Sequence, residues 1–251
     1  MRETILRELE KIEESEGVKI LHCVESGSRA WGFASPDSDY DVRFIYAHPA
    51  EFYLKLENAR DVIEWKLDDI LDINGWDIKK TLQLLHSSNP TLFEWSSSPV
   101  VYKTTDEWAK IAEIAGSFFL KKTGMHHYLH MAKKNFAEYL TAERVKLKKY
   151  FYVLRPILAC MWILDRGTPP PMLFNELAES YLCEELKPRV GNLLEIKRNS
   201  PEINLIERDD ILNDYIIASI AKIEQKLEFL PKEHERSWDE LDKIFLEIID
   251  N

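Results

Sequence analysis

Two apolar, β-branched runs, "VKILHCV" (18–24) and "YDVRFIY" (40–46), flank the polar stretch "ESGSRAWGFASPDSD" (25–39). Both runs read as strands, yet the second is entered through Asp39 and carries Asp41. Side chains two apart on a strand share a face, with their Cα atoms about 6–7 Å apart. Asp39 and Asp41 therefore converge while Tyr40 and Val42 point the other way. Like charges that close repel, and burying them uncompensated is costly. A positive group is expected between them.

Two carboxylates held in this way can bridge a pair of divalent ions roughly 3.5–4 Å apart, the geometry of phosphoryl and nucleotidyl transfer. Mg²⁺, or Mn²⁺ in its place, suits a site with few protein carboxylates that is completed by substrate phosphate oxygens. The turn upstream supplies the other half. Gly27 lets the backbone approach a ligand closely, free N–H groups after it attract a phosphate, and the Ser28 hydroxyl adds a donor. "SPDSDYD" also has loop composition, so a solvated turn is the plain alternative, and Ser28 is equally suited to cap a helix.

Along the chain, Ile5, Leu9 and Ile12 mark a helix over 2–15 that Gly17 closes. A short helix is expected from Ser28 to Phe33. "DVIEWKL" (61–67) and "ILDINGW" (70–76) alternate as a hairpin, Asp77 can cap "IKKTLQLLH", and a helical turn and short strand follow up to Lys103. From about residue 106 the alternation gives way to amphipathic helices at 106–122, 125–140, 141–164, 172–183, 185–198, 208–229 and 236–249, broken by Gly124, "DRGTPPP" (165–171) and "SPEIN" (200–204).

A net charge of -11 over 251 residues argues against non-specific nucleic-acid binding by the whole surface and leaves room for a local basic groove. No apolar run is long enough to span a membrane and the N-terminus is unlike a signal peptide. Cys23, Cys160 and Cys183 have neither metal nor disulfide spacing, so a reducing cytoplasm is expected. His126 and His130 stand four apart without a suitable third ligand, and no structural zinc is expected.

Strand, Gly-Ser, short helix, turn and D-x-D strand, carried by "GSRAWGFASPDSDYD", resemble the DNA-polymerase-β-like nucleotidyltransferase superfamily. "GSRAWGFASPDSDYDVRFIY", "DINGWDIKKTLQLLHSSNPTLFEWSSSPVVY" and "KKYFYVLRPILACMWI" look like a narrower branch, the predicted nucleotidyltransferases associated with RNA-repair genes. The match covers most of the chain and is looser beyond residue 125. It implies an α+β fold: a polymerase-β-like domain over 1–108, a mixed sheet with flanking helices, then an α-helical domain over 109–251 that closes the cleft and helps bind the acceptor.

The resemblance further implies a third acid, on a neighbouring strand, to complete the metal site and help deprotonate the incoming hydroxyl. Asp61, Glu64, Asp72 and Asp77 are available. Asp72, flanked by Leu71 and Ile73, is favoured, with Asp77 the alternative, although capping is a sufficient explanation of Asp77. For the NTP, cations come from Arg29, after the Gly-Ser pair, and from Arg43, which would otherwise pair with Asp41. Arg144, Lys148, Tyr152 and Arg155 fall on one helical face and would grip phosphates or an RNA backbone, or else form a solvated basic face. Pro156 leaves the Tyr152 carbonyl without its helical partner. Tyr128 and Asn135 look like part of the branch's motif, and Trp31 or Phe33 would stack on a base.

The activity so implied is transfer of an NMP from an NTP to a hydroxyl acceptor, an RNA end among them, with release of pyrophosphate. Two alternatives stand beside it: a non-catalytic nucleotide sensor or partner-binding module of the same fold, and a protein AMP-transferase of the toxin-neutralising type.

Overall fold

A computed structural model describes residues 1–57, 59–201, 204–233 and 236–250, with only the backbone at Lys66 and Leu67. Glu202 and Ile203, inside the expected break at 200–204, lie outside the described residues. The chain forms two compact units: Met1–Ala30, Asp39–Phe119 and Glu235–Asn251 make a sheet unit, and Trp31–Ser38 with Leu120–His234 make a helical unit.

In the sheet unit, α1 (Arg2–Glu16) buries Ile5, Leu9 and Ile12 and ends at Gly17, whose φ of 63° is left-handed. The strands are β1 (Lys19–Glu25), β2 (Tyr40–Ala47), β3 (Val62–Leu67), β4 (Leu71–Asp77) and β5 (Val101–Thr104), in sheet order β3-β4-β2-β1-β5. Only the β2–β4 pairing is parallel. The short helices α2 (Gly27–Ala30) and α3 (Ala50–Tyr53) flank β2 in sequence. After β4 come α4 (Ile78–His86) and α5 (Pro90–Ser96), capped by Asp77 and Asn89, and α6 (Asp106–Ala115) follows β5 under a Thr105 cap.

Period-two alternation divides the faces of the sheet. Val42, Phe44 and Tyr46 of β2 and Leu71 and Ile73 of β4 join the α1 residues in one core. Gly75 belongs to that face because the Phe44 ring fills the place its Cβ would take, 2.2 Å from the nearest ring atom. The opposite face is divided along its length. Ile45 and Trp76 lie towards one end, with Trp76 packed on Trp95 of α5 at 3.9 Å between ring centroids. Asp41, Arg43 and Asp72 occupy the other end.

The helical unit contains α7 (Lys121–Tyr139), β6 (Arg144–Lys146), α8 (Lys148–Arg166), α9 (Phe174–Tyr181), α10 (Lys187–Asn199), β7 (Leu205–Glu207) and α11 (Asp210–Glu228). The helix expected over 141–164 starts only at Lys148, because residues 144–146 pair antiparallel with 205–207. It then runs through Pro156 without a break in assignment. The chain returns to the sheet unit with α12 (Asp239–Ile249), which packs on α4 and α6.

The division thus departs from the expected 1–108 and 109–251. Helix α6 and the following 3₁₀ turn stay with the sheet, and α12 comes back to it. Trp31–Ser38 is held within the helical unit: Phe33 is enclosed by Phe151 and Phe174, and Lys197 Nζ donates to Ser35 Oγ at 2.9 Å. No helix among the described residues is long and apolar enough to cross a membrane.

Candidate active site

The site is built where β1 ends and β2 begins. Gly27 opens α2 with φ 59°, a left-handed conformation natural to glycine. A Cβ on Gly27 would lie 1.9 Å from Asp41 Oδ2, so the turn needs glycine in order to seat the Asp41 carboxylate against it. Ser26 N donates to Asp41 O at 2.8 Å, tying the turn to the strand. Ser28 is buried in α2, and Arg29 leans back on the next strand. Arg29 Nε donates to Asp39 O at 2.9 Å, and its guanidinium sits 3.7 Å from the Tyr40 ring centroid.

Parallel pairing sets Asp41 of β2 beside Asp72 of β4. The positive group expected between Asp39 and Asp41 is instead internal to the strand and bridges Asp41 and Asp72. Arg43 Nη2 donates to Asp41 Oδ1 at 3.0 Å and to Asp72 Oδ2 at 2.7 Å, while Nη1 donates to the carbonyls of Val42 at 3.0 Å and Asp72 at 3.1 Å. Asp72 Oδ1 is buried with no hydrogen-bond partner among the described residues. Asp39 stands at the mouth of the strand, exposed.

Asp77 is placed elsewhere. Five residues beyond Asp72 on β4, it is roughly 16 Å further along and on the opposite face. It accepts from Lys79 N at 2.7 Å as the α4 cap and from Tyr53 Oη at 2.8 Å, and burial pushes its carboxyl pKa up. It caps α4, and of the two aspartates Asp72 is the one in register with Asp41. Asp61 pairs with Lys80 at 3.1 Å and Glu64 with Arg60 at 3.5 Å, both on the exterior.

Glu25 is a residue that the sequence reading missed. It ends β1 at 1 % exposure, with Oε1 accepting from Asp41 N at 2.8 Å and Oε2 accepting from Tyr102 Oη. Ser98 Oγ donates to its carbonyl at 2.6 Å. Burial raises its pKa. A carboxylate thus braces the backbone of the residue that presents a second carboxylate. The available signal was a glutamate closing a largely apolar strand just before the Gly-Ser turn.

The basic stripe does not form as expected. Arg144 is on β6 and exposed, so it leaves the α8 face; Lys148 and Tyr152 are half-buried. Arg155 is only 2 % exposed, its guanidinium 4.7 Å from the Trp31 ring centroid and its Nε donating to Met172 O at 3.3 Å. It acts as a core residue of the helical unit. Phe33, at 0 % exposure, and Tyr128, also 0 %, are core as well, and Asn135 bonds the Met131 carbonyl on its own helix. Trp31 is half-buried, edge-on to Tyr152 at 5.5 Å.

The donor set fits a hard divalent cation. Asp41 and Asp72 present carboxylate oxygens side by side, one Asp72 oxygen is desolvated and unpartnered, and glycine clears the ground beside Asp41. Among the described residues, however, no three His, Cys, Asp or Glu side chains are gathered to hold an ion, and Arg43 rests on two of the candidate oxygens.

A glycine-serine turn leading into a D-x-D strand, with a further aspartate on the parallel neighbour and a helical unit beyond, defines a polymerase-β-like nucleotidyltransferase fold of the α+β class. The chain belongs to RlaP, the RNA repair pathway DNA polymerase beta family, whose family model matches residues 1–247. The curated "Uncharacterized protein YcgL" of Bacillus subtilis (strain 168) is 46 % identical over 254 residues, spanning 100 % of this chain and 97 % of that protein. A solved structure of a nucleotidyltransferase-like protein from Exiguobacterium sibiricum 255-15 aligns at 12 % identity with a TM-score of 0.31, over 97 % of this chain and 79 % of that one. Family membership supports a general nucleotidyltransferase role, with enzyme activity and an NTP substrate implied.

Proposed function

We propose that this chain is a cytoplasmic, Mg- or Mn-dependent nucleotidyltransferase that moves an NMP from an NTP to a hydroxyl on an RNA end and releases pyrophosphate. The observation that supports this most is the pairing of Asp41 with Asp72 beside the Gly27 turn. The family's RNA-repair description supports RNA as the acceptor class. Asp39, Asp41 and Asp72 would hold two ions, whose charge offsets that building on the attacking and leaving oxygens. Gly27 and Ser28 bind the β and γ phosphates through backbone N–H groups and the Ser28 hydroxyl. Arg29 adds a cation beside that turn. The Asp72 carboxylate takes the proton of the acceptor hydroxyl. Glu25 keeps Asp41 in place from behind. Catalysis by these residues is therefore chiefly positioning and preorganised charge.

The test is incubation with α-³²P-labelled NTPs, Mg²⁺ or Mn²⁺, and RNA. Label should pass to the RNA with the intact chain and fall at least about a thousandfold with Asp41→Asn, in the range for loss of a central electrostatic group. Transfer that survives Asp41→Asn would remove the carboxylates from the chemistry. One observation favours a second reading, a nucleotide sensor without turnover: Arg43 already occupies the position between the two carboxylates. Tight NTP binding with no label on RNA or on lysate protein would decide for the sensor, and label on protein alone for an AMP-transferase.

A further inference from the structure

We propose that Arg43 is a built-in stand-in for the metal: its guanidinium occupies the cation position between Asp41 and Asp72, so a divalent ion binds only by exchange with it. This rests on the reading of Asp41 and Asp72 as ion ligands. Three observations carry it. First, a single nitrogen, Nη2, bridges the pair at 3.0 and 2.7 Å, the position a bridging cation requires. Second, the guanidinium is docked, because Nη1 is held by the carbonyls of Val42 and Asp72 while the side chain is only 18 % exposed. Third, the Asp72 oxygen that does not bond Arg43, Oδ1, is buried with no hydrogen-bond partner among the described residues, and Asp41 Oδ2 lies against the Gly27 turn.

The physical consequence follows from charge. Two carboxylates aligned across parallel strands repel without a cation, so Arg43 keeps the ion-free chain folded and the acids in register. The same contacts obstruct a divalent ion. An ion bonding those oxygens at about 2.0–2.1 Å would share them with a fixed positive neighbour, and arginine cannot shed its proton to relieve the repulsion. Arg43 must therefore swing away as the ion enters. Bare ions should bind weakly, and an ion delivered with a polyphosphate should bind well, since the phosphates balance the displaced guanidinium.

Mn²⁺ binding to the whole chain, followed by the electron-spin-resonance signal of free Mn²⁺ and by the thermal midpoint with and without Mn²⁺, tests this on the intact protein, Arg43→Gln, Arg43→Lys and Asp41→Asn. The expectation is that Arg43→Gln binds Mn²⁺ about tenfold tighter, the size of one nearby-charge effect. It should also melt lower in chelator and rise further on Mn²⁺, with Arg43→Lys between it and the intact chain. If the intact chain binds Mn²⁺ in a way that Asp41→Asn abolishes, but Arg43→Gln binds no tighter, the exchange is wrong while the metal reading stands. If no variant binds Mn²⁺, both are wrong. Should Arg43→Gln not fold, the Arg43 Nε–H resonance of the intact chain, assigned by its loss in Arg43→Lys, carries the test. It should move on titration with Mg²⁺, and no movement at saturation overturns the exchange.

Discussion

The two units share one chain and differ in how they use charge. The sheet unit carries 15 basic and 27 acidic residues, a net -12, and the helical unit 18 and 17, a net +1, so the negative charge of the chain lies in the sheet unit. In the sheet unit, carboxylates are gathered at structured positions: Glu25 under the turn, Asp41 and Asp72 on one face, Asp77 at a helix cap. In the helical unit, cations pair with their own neighbours, as in Arg189 with Asp209 at 2.6 Å and Lys133 with Glu224 at 2.5 Å, or are buried, as Arg155 and Lys197 are. One unit concentrates negative charge that calls for cations from outside, and the other is near balance within itself. Whole-chain net charge was therefore a poor argument about an acidic acceptor, since the negative charge is confined to the sheet unit.

Three experiments press on that contrast, in falling order of expected effect. Asp72→Asn should cut label transfer by about a thousandfold or more with the thermal midpoint held or raised. Asp77→Asn, on the same strand, should leave transfer within a few-fold, because asparagine also caps. Equal losses in the two variants would erase the distinction between site and cap. In the helical unit, Arg155→Ala should cost about 3 kcal/mol of stability by emptying the space beneath Trp31, with nucleotide affinity of the folded chain unchanged. A loss of NTP affinity without a loss of stability would return Arg155 to the substrate side and break the contrast.

The smallest effect concerns His22, buried and stacked on Trp108 at 4.5 Å, whose pKa burial lowers from 6.5 to about 4. The folded chain keeps it neutral while the unfolded chain protonates it near 6.5. Stability is therefore lost as pH falls from about 6.5 to about 4, by up to about 3 kcal/mol. Glu25 and Asp77, raised by burial, act in the opposite sense because their folded forms take up protons more readily. The pH dependence of the difference between the intact chain and His22→Phe isolates the histidine. A difference that stays flat between pH 7 and pH 4 would show that burial costs His22 nothing.

Most of the sheet unit was legible because its signals are short-range. Apolar, β-branched runs marked β1 and β2, alternation marked β3 and β4, Gly17 closed α1, Asp77 capped α4, and the spacing of the Gly-Ser pair and D-x-D marked the turn and strand of the site. Asp72 could be favoured for its apolar flanks, but the partner it faces is set by the register of β2 on β4. The helical unit was read less well. "RVK" at 144–146 continues a helical pattern, and it becomes strand only because Leu205–Glu207, some sixty residues on, supplies its hydrogen bonds. The basic stripe lost Arg144 for the same reason: its phase assumed one helix from residue 141, whereas the helix starts at Lys148.

Residue order alone determined the local chemistry: where a left-handed turn must fall, which positions alternate, which side chains can cap, and that Asp41 would sit on a strand just after a glycine turn. Tertiary structure decided what those groups meet. Gly27 is required because Asp41 folds back against its Cα, and Glu25 matters because it accepts the Asp41 amide from a neighbouring strand. Arg43 became the counter-charge because parallel pairing brought a second aspartate alongside the first. A turn or a cap is stabilised by atoms a few residues away, whereas electrostatic partnership depends on register between strands, and register is settled only when the whole sheet packs.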